Sequence, residues 1–138
     1  MRPNLPNPRF LNPPALSKPP GYSHVVEVVG PGRIIYLAGQ LSFDADGNLV
    51  GPGDFRAQAE KTFENVKAAL AAVGAGVENL VKINSYIVEI EKHVSIFRDV
   101  RNRHLNMVAP PASTAVGVPA LARPGALIEI EAIAILPA

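Results

Sequence analysis

The stretch Leu127–Leu136, which reads Leu-Ile-Glu-Ile-Glu-Ala-Ile-Ala-Ile-Leu, constrains the fold of this chain more than any other. Successive residues of a β-strand point to opposite faces of its sheet. Leu127, Glu129, Glu131, Ile133 and Ile135 therefore share one face, and Ile128, Ile130, Ala132 and Ala134 the other. Both faces are largely apolar, so neither suits free exposure to water. A sheet built on this strand needs a cover on each side.

The rest of the chain supplies only one cover. Residues 54–73 read as a helix in which Phe55, Ala59, Phe63, Val66, Leu70 and Val73 form an apolar stripe at spacings of three and four. Asp54 is placed to cap its first turn, and Gly74 to end it in a left-handed conformation. A second helix is predicted from Ser95, as cap, to Met107, on a stripe of Phe97, Val100, His104 and Met107; Ala109-Pro110-Pro111 closes it. Strands are predicted over His24–Gly30, Arg33–Ala38, Leu80–Ile90 and Ser113–Val118, with Asn48–Val50 as a short edge strand. Gly30-Pro31-Gly32 reads as a tight turn that makes the first two an antiparallel hairpin. The order β-β-(β)-α-β-α-β-β is α+β: a mixed sheet with two helices on one face. The second cover is then another copy of the chain.

A length of 138 residues favours one domain, and a chain of that size buries about 68% of its unfolded surface. The hydrophobic fraction of 48% and charged fraction of 18% exclude a disordered chain. Thirteen Lys and Arg against twelve Asp and Glu leave a net charge of +1, too balanced to imply a nucleic-acid or membrane partner. No cysteine is present, which excludes disulfides, thiolate catalysis and iron–sulfur clusters and suits a cytoplasmic location. No apolar run reaches the length of a membrane-spanning helix. Seven of the fourteen prolines fall in residues 1–20. Proline lacks the N–H that helix interiors and central strands use, so these residues read as an extended arm that settles where Phe10 and Leu11 meet apolar surface.

Glu129 and Glu131 project from one side of their strand, flanked by Leu127 and Ile133. Partial desolvation raises a carboxyl pKa and suits it to proton transfer; the plainer alternative is a wet sheet rim neutralised by Lys or Arg. His24, His93 and His104 share no metal-ligand spacing, so no metal site is predicted; His93 reads as a loop residue and His104 as a helix-face residue. Gly51-Pro52-Gly53-Asp54 precedes a helix, but it lacks the phosphate-loop lysine and reads as turn plus cap. Arg98 and Arg101 lie one helical turn apart on one face, with Arg103 rotated away, and read as a solvated helix surface.

Gly21-Tyr22-Ser23-His24, Tyr36-Leu37-Ala38-Gly39-Gln40-Leu41, Glu64-Asn65-Val66-Lys67-Ala68, the Pro-Pro-Ala ending at Ala112 and Ile128–Ala134 occur in this order. Together they resemble the reactive-intermediate deaminase family (RidA/YjgF) over residues 21–136. The resemblance implies a chorismate-mutase-like fold over residues 21–138, assembled as a homotrimer around a central barrel, with small-metabolite clefts between subunits. It implies cofactor-free hydrolysis of enamines and imines, such as 2-aminoacrylate, to 2-keto acids and ammonia. In such a cleft Glu129 positions the water, and Tyr22 and the Gly39-Gln40 pair line the walls.

The sequence departs from that pattern where the family carries its carboxylate-binding arginine. Ser113 stands there, and Ala115 stands where a cysteine often follows. A hydroxyl donates one neutral hydrogen bond whereas guanidinium offers a charged fork, so 2-aminoacrylate deamination is disfavoured. Arg98 aligns with a cleft asparagine of the family, and a guanidinium relocated there from the strand is one reading; an exposed helix arginine is the other. Two functions stay open: a cofactor-free hydrolase using Glu129, and a trimer that binds a small metabolite without turnover. A ribonuclease or translation inhibitor, a third label attached to the family, draws little support from a neutral chain without a histidine pair.

Overall fold

The computed structural model describes residues 8–138; the first seven residues of the arm, including Pro3 and Pro6, lie outside the described residues. The elements run Arg9–Leu11 (β1), Val25–Glu27 (β2), Gly32–Gln40 (β3), Phe55–Ala71 (α1), Leu80–Val88 (β4), Ile90–His104 (α2), Ala112–Val118 (β5) and Ile128–Pro137 (β6). A single 3-10 turn at Val77–Asn79 leads into β4. Four strands form one sheet in the order β3-β6-β4-β5, parallel between β4 and β5 and antiparallel elsewhere. This is the α+β architecture that the pattern predicts.

Helix α1 forms as its sequence dictates. The Asp54 carboxylate accepts from the Ala57 N–H at 3.0 Å, satisfying one of the orphan donors of the first turn. At the other end the Gly74 N–H reaches the Ala71 carbonyl and the Ala75 N–H reaches that of Leu70, the paired bonds of a left-handed helix stop. Phe55, Ala59, Phe63, Val66 and Leu70 are buried. They pack with Phe97 and Val100 of α2 against Ile83 and Ile87 of β4 and Ile128, Ile130, Ala132 and Ala134 of β6. One face of the sheet is thus sealed by helices. Its opposite face carries Ile34 and Tyr36, which are 57% and 75% exposed.

Gln58 ties two loops to this layer. Its buried side-chain amide donates to the carbonyls of Gly51 and Gly125 and accepts from the Leu127 N–H. Every polar group it offers is used, which is what burial demands.

Five expectations are corrected. The predicted hairpin does not form: β2 pairs antiparallel with β1 of the arm, Phe10 opposite Val26, while β3 pairs with β6. The nine-residue β3 finds its match in the ten-residue β6, and Val28 and Val29 stay outside any strand. The second helix starts at Ile90 rather than Ser95 and stops at His104 rather than Met107. Glu89, in the left-handed region at φ 52°, turns the chain out of β4, so β4 ends at Val88. His93 consequently sits on the helix, not in a loop; it is buried, stacked on Phe55 at 4.3 Å, and its Nδ1 meets the Val88 carbonyl at 2.8 Å. Asn48–Val50 is no strand but contributes a single bridge, Leu49 to Phe43.

Candidate functional site

The residues singled out by sequence gather at two places on opposite faces of the sheet. The first lies between the outer strand β5 and helix α2. Parallel neighbours share a face, so Ser113 and Ala115, opposite the buried Ile83 and Ser85, point towards α2. There they line a small cavity of about 130 Å³ with Tyr22, Phe97, Arg98 and Arg101. Tyr22 is set by its neighbour: Ser23 is buried, bridges to Ala112, and donates from N–H and Oγ to the carbonyls of Pro111 and Pro110. His24 packs edge-on against the Tyr22 ring and bonds through its Nε2 to the Ser17 carbonyl, folding the end of the arm onto the site.

Arg101, which the helical spacing places with Arg98 on a solvated surface, is instead buried. It is only 6% exposed. Its guanidinium stands 5.8 Å over the Phe97 ring, Nε donates to the Asn102 side chain at 3.1 Å, and Nη2 reaches the Pro20 carbonyl at 3.5 Å. Gly21, at φ +124°, lets the guanidinium pass, since a Cβ there would strike Nη2. No carboxylate among the described residues pairs with Arg101 or with Arg98 one turn before it. Burial lowers the Arg101 pKa from its ordinary value, and the charge on Arg98 adds to the effect. The i, i+3 spacing of the two was legible; the burial was not, because Pro20 and Gly21 create it.

The second place is the open face. Glu129 and Glu131 both project there, but they differ. Glu131 accepts from the Tyr86 hydroxyl at 2.6 Å and from the Asn84 amide at 3.1 Å. These hydrogen bonds, Tyr86 first, hold its carboxyl below the ordinary range and push the Tyr86 hydroxyl up. Its charge is held by hydrogen bonds from a phenol and an amide, with no Lys or Arg ion pair among the described residues. Glu129 makes no hydrogen bond among the described residues. Its carboxylate lies over Gly39, where any Cβ would collide with it, at the irregularity in β3 between Leu37 and Gln40. Gln40 bends its own amide back to the Ala38 carbonyl at 3.0 Å.

The structure thus brings Tyr22, Arg98, Ser113 and Ala115 together, and Glu129 with Gly39 and its neighbour Gln40, but it does not join the two groups within one chain. Arg101, Tyr86 and Asn84 are the residues that sequence reasoning missed. Among the described residues no three His, Asp or Glu side chains converge as a metal site, and no helix is long and apolar enough to cross a membrane.

A four-stranded mixed sheet with two helices on one face carries a glutamate without a hydrogen-bond partner among the described residues on its open face and a basic pocket at its outer strand. The chain belongs to the family described as endoribonuclease L-PSP, the RidA/YjgF group, whose model matches residues 15–136. It is 33% identical over 129 residues to a 2-iminobutanoate/2-iminopropanoate deaminase of Dermatophagoides farinae, covering 93% of this chain and 96% of the relative. Its fold is similar to that of YyfB, a Rid-family protein of unknown function from Yersinia pestis, with a TM-score of 0.83 and 34% identity across 94% of this chain and 99% of the other. A putative endoribonuclease from Thermotoga maritima superposes with a TM-score of 0.70 at 31% identity, over 94% and 98% of the two chains.

Proposed function

We propose that this protein is a cytoplasmic homotrimer whose clefts, each shared by two subunits, take a small metabolite and hydrolyse an imine-like bond without a cofactor. The observation that carries this reading is the division of the site. Glu129 and the pocket of Tyr22, Arg98 and Ser113 occupy opposite faces of one sheet, so they meet over one ligand only across two copies. The exposed Ile34 and Tyr36 give the open face the apolar character of a surface that closes on itself.

In the proposed reaction a water adds to the imine carbon while Glu129 takes its proton. Glu129 passes that proton to the nitrogen to give the neutral carbinolamine, then takes the hydroxyl proton as the carbon–oxygen double bond forms and delivers it to the nitrogen, which leaves as ammonia. A carboxylate with no competing partner is suited to that exchange. The named activity of the Dermatophagoides relative supports this chemistry class. The Ser113 hydroxyl in place of a guanidinium favours a second reading, binding without turnover. Ribonuclease chemistry is left out of the proposal. His93 is stacked in the core and both ring nitrogens of His104 are engaged by Glu60 and Lys67, which leaves His24, bonded through Nε2 to Ser17, without a second histidine for an acid–base pair.

The test is ammonia release from enzymatically generated 2-aminoacrylate and 2-iminobutanoate by wild type, Glu129→Gln and Ser113→Arg. Glu129→Gln is expected to cut the rate by at least about a hundredfold, and Ser113→Arg to raise it on 2-aminoacrylate. A wild-type rate that survives Glu129→Gln overturns the mechanism, and no release by any of the three leaves binding as the function. Sedimentation is expected to give three times the 14.6 kDa of one chain.

A further inference from the structure

The unpaired guanidinium of Arg101 says what the cleft takes. A buried cation without a counter-charge is costly to hold, and a fold that keeps one commonly uses it. Arg101 is more than nine-tenths buried, has a cation rather than an anion one helical turn away, and leaves its Nη1 without a hydrogen bond among the described residues. Both guanidinium groups border the same small cavity, and the Ser113 and Tyr22 side chains complete its polar lining. No acidic side chain lines it.

We propose that Arg101, with Arg98 outside it, is the oxyanion anchor of the cleft: helix α2 supplies the fork that strand β5 lacks at Ser113. The inner guanidinium donates to two oxygens of a carboxylate or phosphoryl group side by side, the geometry for which arginine is built. Arg98, exposed at the mouth, closes over the anion, and the Ser113 hydroxyl donates from the strand side. Of the two arginines, the one read from sequence as a relocated clamp is the outer partner; the buried one is the anchor. An empty site sets two like charges side by side, and an arriving oxyanion relieves both.

This inference rests on the reading that the cavity beside Ser113 is part of the ligand cleft, but not on turnover. The experiment is calorimetric titration of the full chain with 2-oxobutanoate and, separately, with inorganic phosphate, each paired with a thermal-shift measurement. Wild type is expected to bind at least one of the two; preference between them distinguishes a planar from a tetrahedral oxyanion. Arg101→Gln is expected to weaken that binding at least about tenfold, Arg101→Lys to fall between, and Arg98→Gln to cost about threefold. Adding Ser113→Arg to Arg101→Gln is expected to restore binding by returning a guanidinium to the cavity from the strand. Arg56→Gln, on the outer surface, serves as the control. The proposal is overturned if wild type binds neither probe, or if folded Arg101→Gln binds as wild type does. It is also overturned if Arg101→Gln lowers Tm while leaving the affinity of the folded fraction unchanged, the mark of a purely structural arginine. Glu129→Gln is expected to bind whichever probe wild type binds. Loss of ammonia release there with binding intact bears on the hydrolytic mechanism alone.

Discussion

Helix α2 carries basic residues on two sides, and the two sides are treated in opposite ways. On the side towards α1, Arg103 donates to both oxygens of Glu60 at 3.3 and 3.1 Å and lies 3.8 Å from Asp99, which also accepts from Arg56 at 2.7 Å. His104 joins the same cluster. Lysine has only donors, so Lys67 Nζ must donate to His104 Nδ1, and the ring hydrogen on Nε2 goes to Glu60 at 2.9 Å. On the side towards β5, Arg98 and Arg101 have no carboxylate at all among the described residues. The paired side is the more exposed and needs its partners least. The unpaired side holds the buried guanidinium, where a partner is worth most. Stability alone would distribute the acids the other way round. Charge left unmatched in a buried place marks the surface reserved for a ligand.

The largest test of this contrast places a carboxylate on the unpaired side. Ser113→Glu gives Arg101 an internal partner that occupies the anion position and repels any arriving oxyanion. Affinity for 2-oxobutanoate or phosphate is expected to drop about a hundredfold, while the apo protein melts no lower than wild type. Binding retained within threefold, measured by titration, removes the distinction between the two sides.

Much of this arrangement was legible in the sequence, and the misreadings share one cause. Helix α1 and strand β6 were readable because each declares itself locally, through Asp54 and the stripe from Phe55 to Leu70, and through the alternation from Ile128 onward. Gly30, at φ 94°, bends the chain between β2 and β3 without closing the tight turn, and which strand pairs with which is decided by distant partners: β3 pairs with β6 and β2 with β1. The start of α2 rests on one left-handed residue, Glu89, whose type gives no warning of it. At the site, the Glu129 and Glu131 pair could be read from spacing. That Glu131 is tied and Glu129 free depends on a diagonal reach from Tyr86 across the strand pair. Arg101 was visible as a partner of Arg98 and invisible as a buried group, because its cover comes from Pro20 and Gly21, eighty residues upstream in the chain.

The paired side yields smaller effects, and they appear in stability rather than in binding. Burial opposes ionisation of Glu60, but hydrogen bonds from His104 and Arg103 outweigh it and hold the carboxyl below its ordinary 4.5. A carboxyl depressed in the folded state binds fewer protons there than in the unfolded chain, so its stabilisation is present above the unfolded pKa. It is lost as pH falls through the folded one. Glu60→Gln is therefore expected to cost about 1 kcal/mol near neutral pH. The same change flattens the fall of Tm on acidification below the ordinary carboxyl range. An unchanged acid limb in a thermal-melt series shows that the cluster around His104 contributes nothing.

The smallest expected effect lies at the outermost member of that cluster. Arg56 meets Asp99 with both side chains about half exposed, and a pair so placed gains little over its hydration and is screened by salt. The Asp99 carboxyl is lowered first by its hydrogen bond from Arg56, yet Arg103 stands close enough to retain part of that influence when Arg56 is removed. Arg56→Gln is accordingly expected to leave Tm unmoved at physiological salt, to lower it slightly at low ionic strength, and to leave oxyanion affinity as in wild type. A drop in oxyanion affinity for Arg56→Gln at fixed ionic strength would mean that the two sides of α2 communicate. The unmatched charge at Arg101 would then be a property of the whole helix rather than of the cleft.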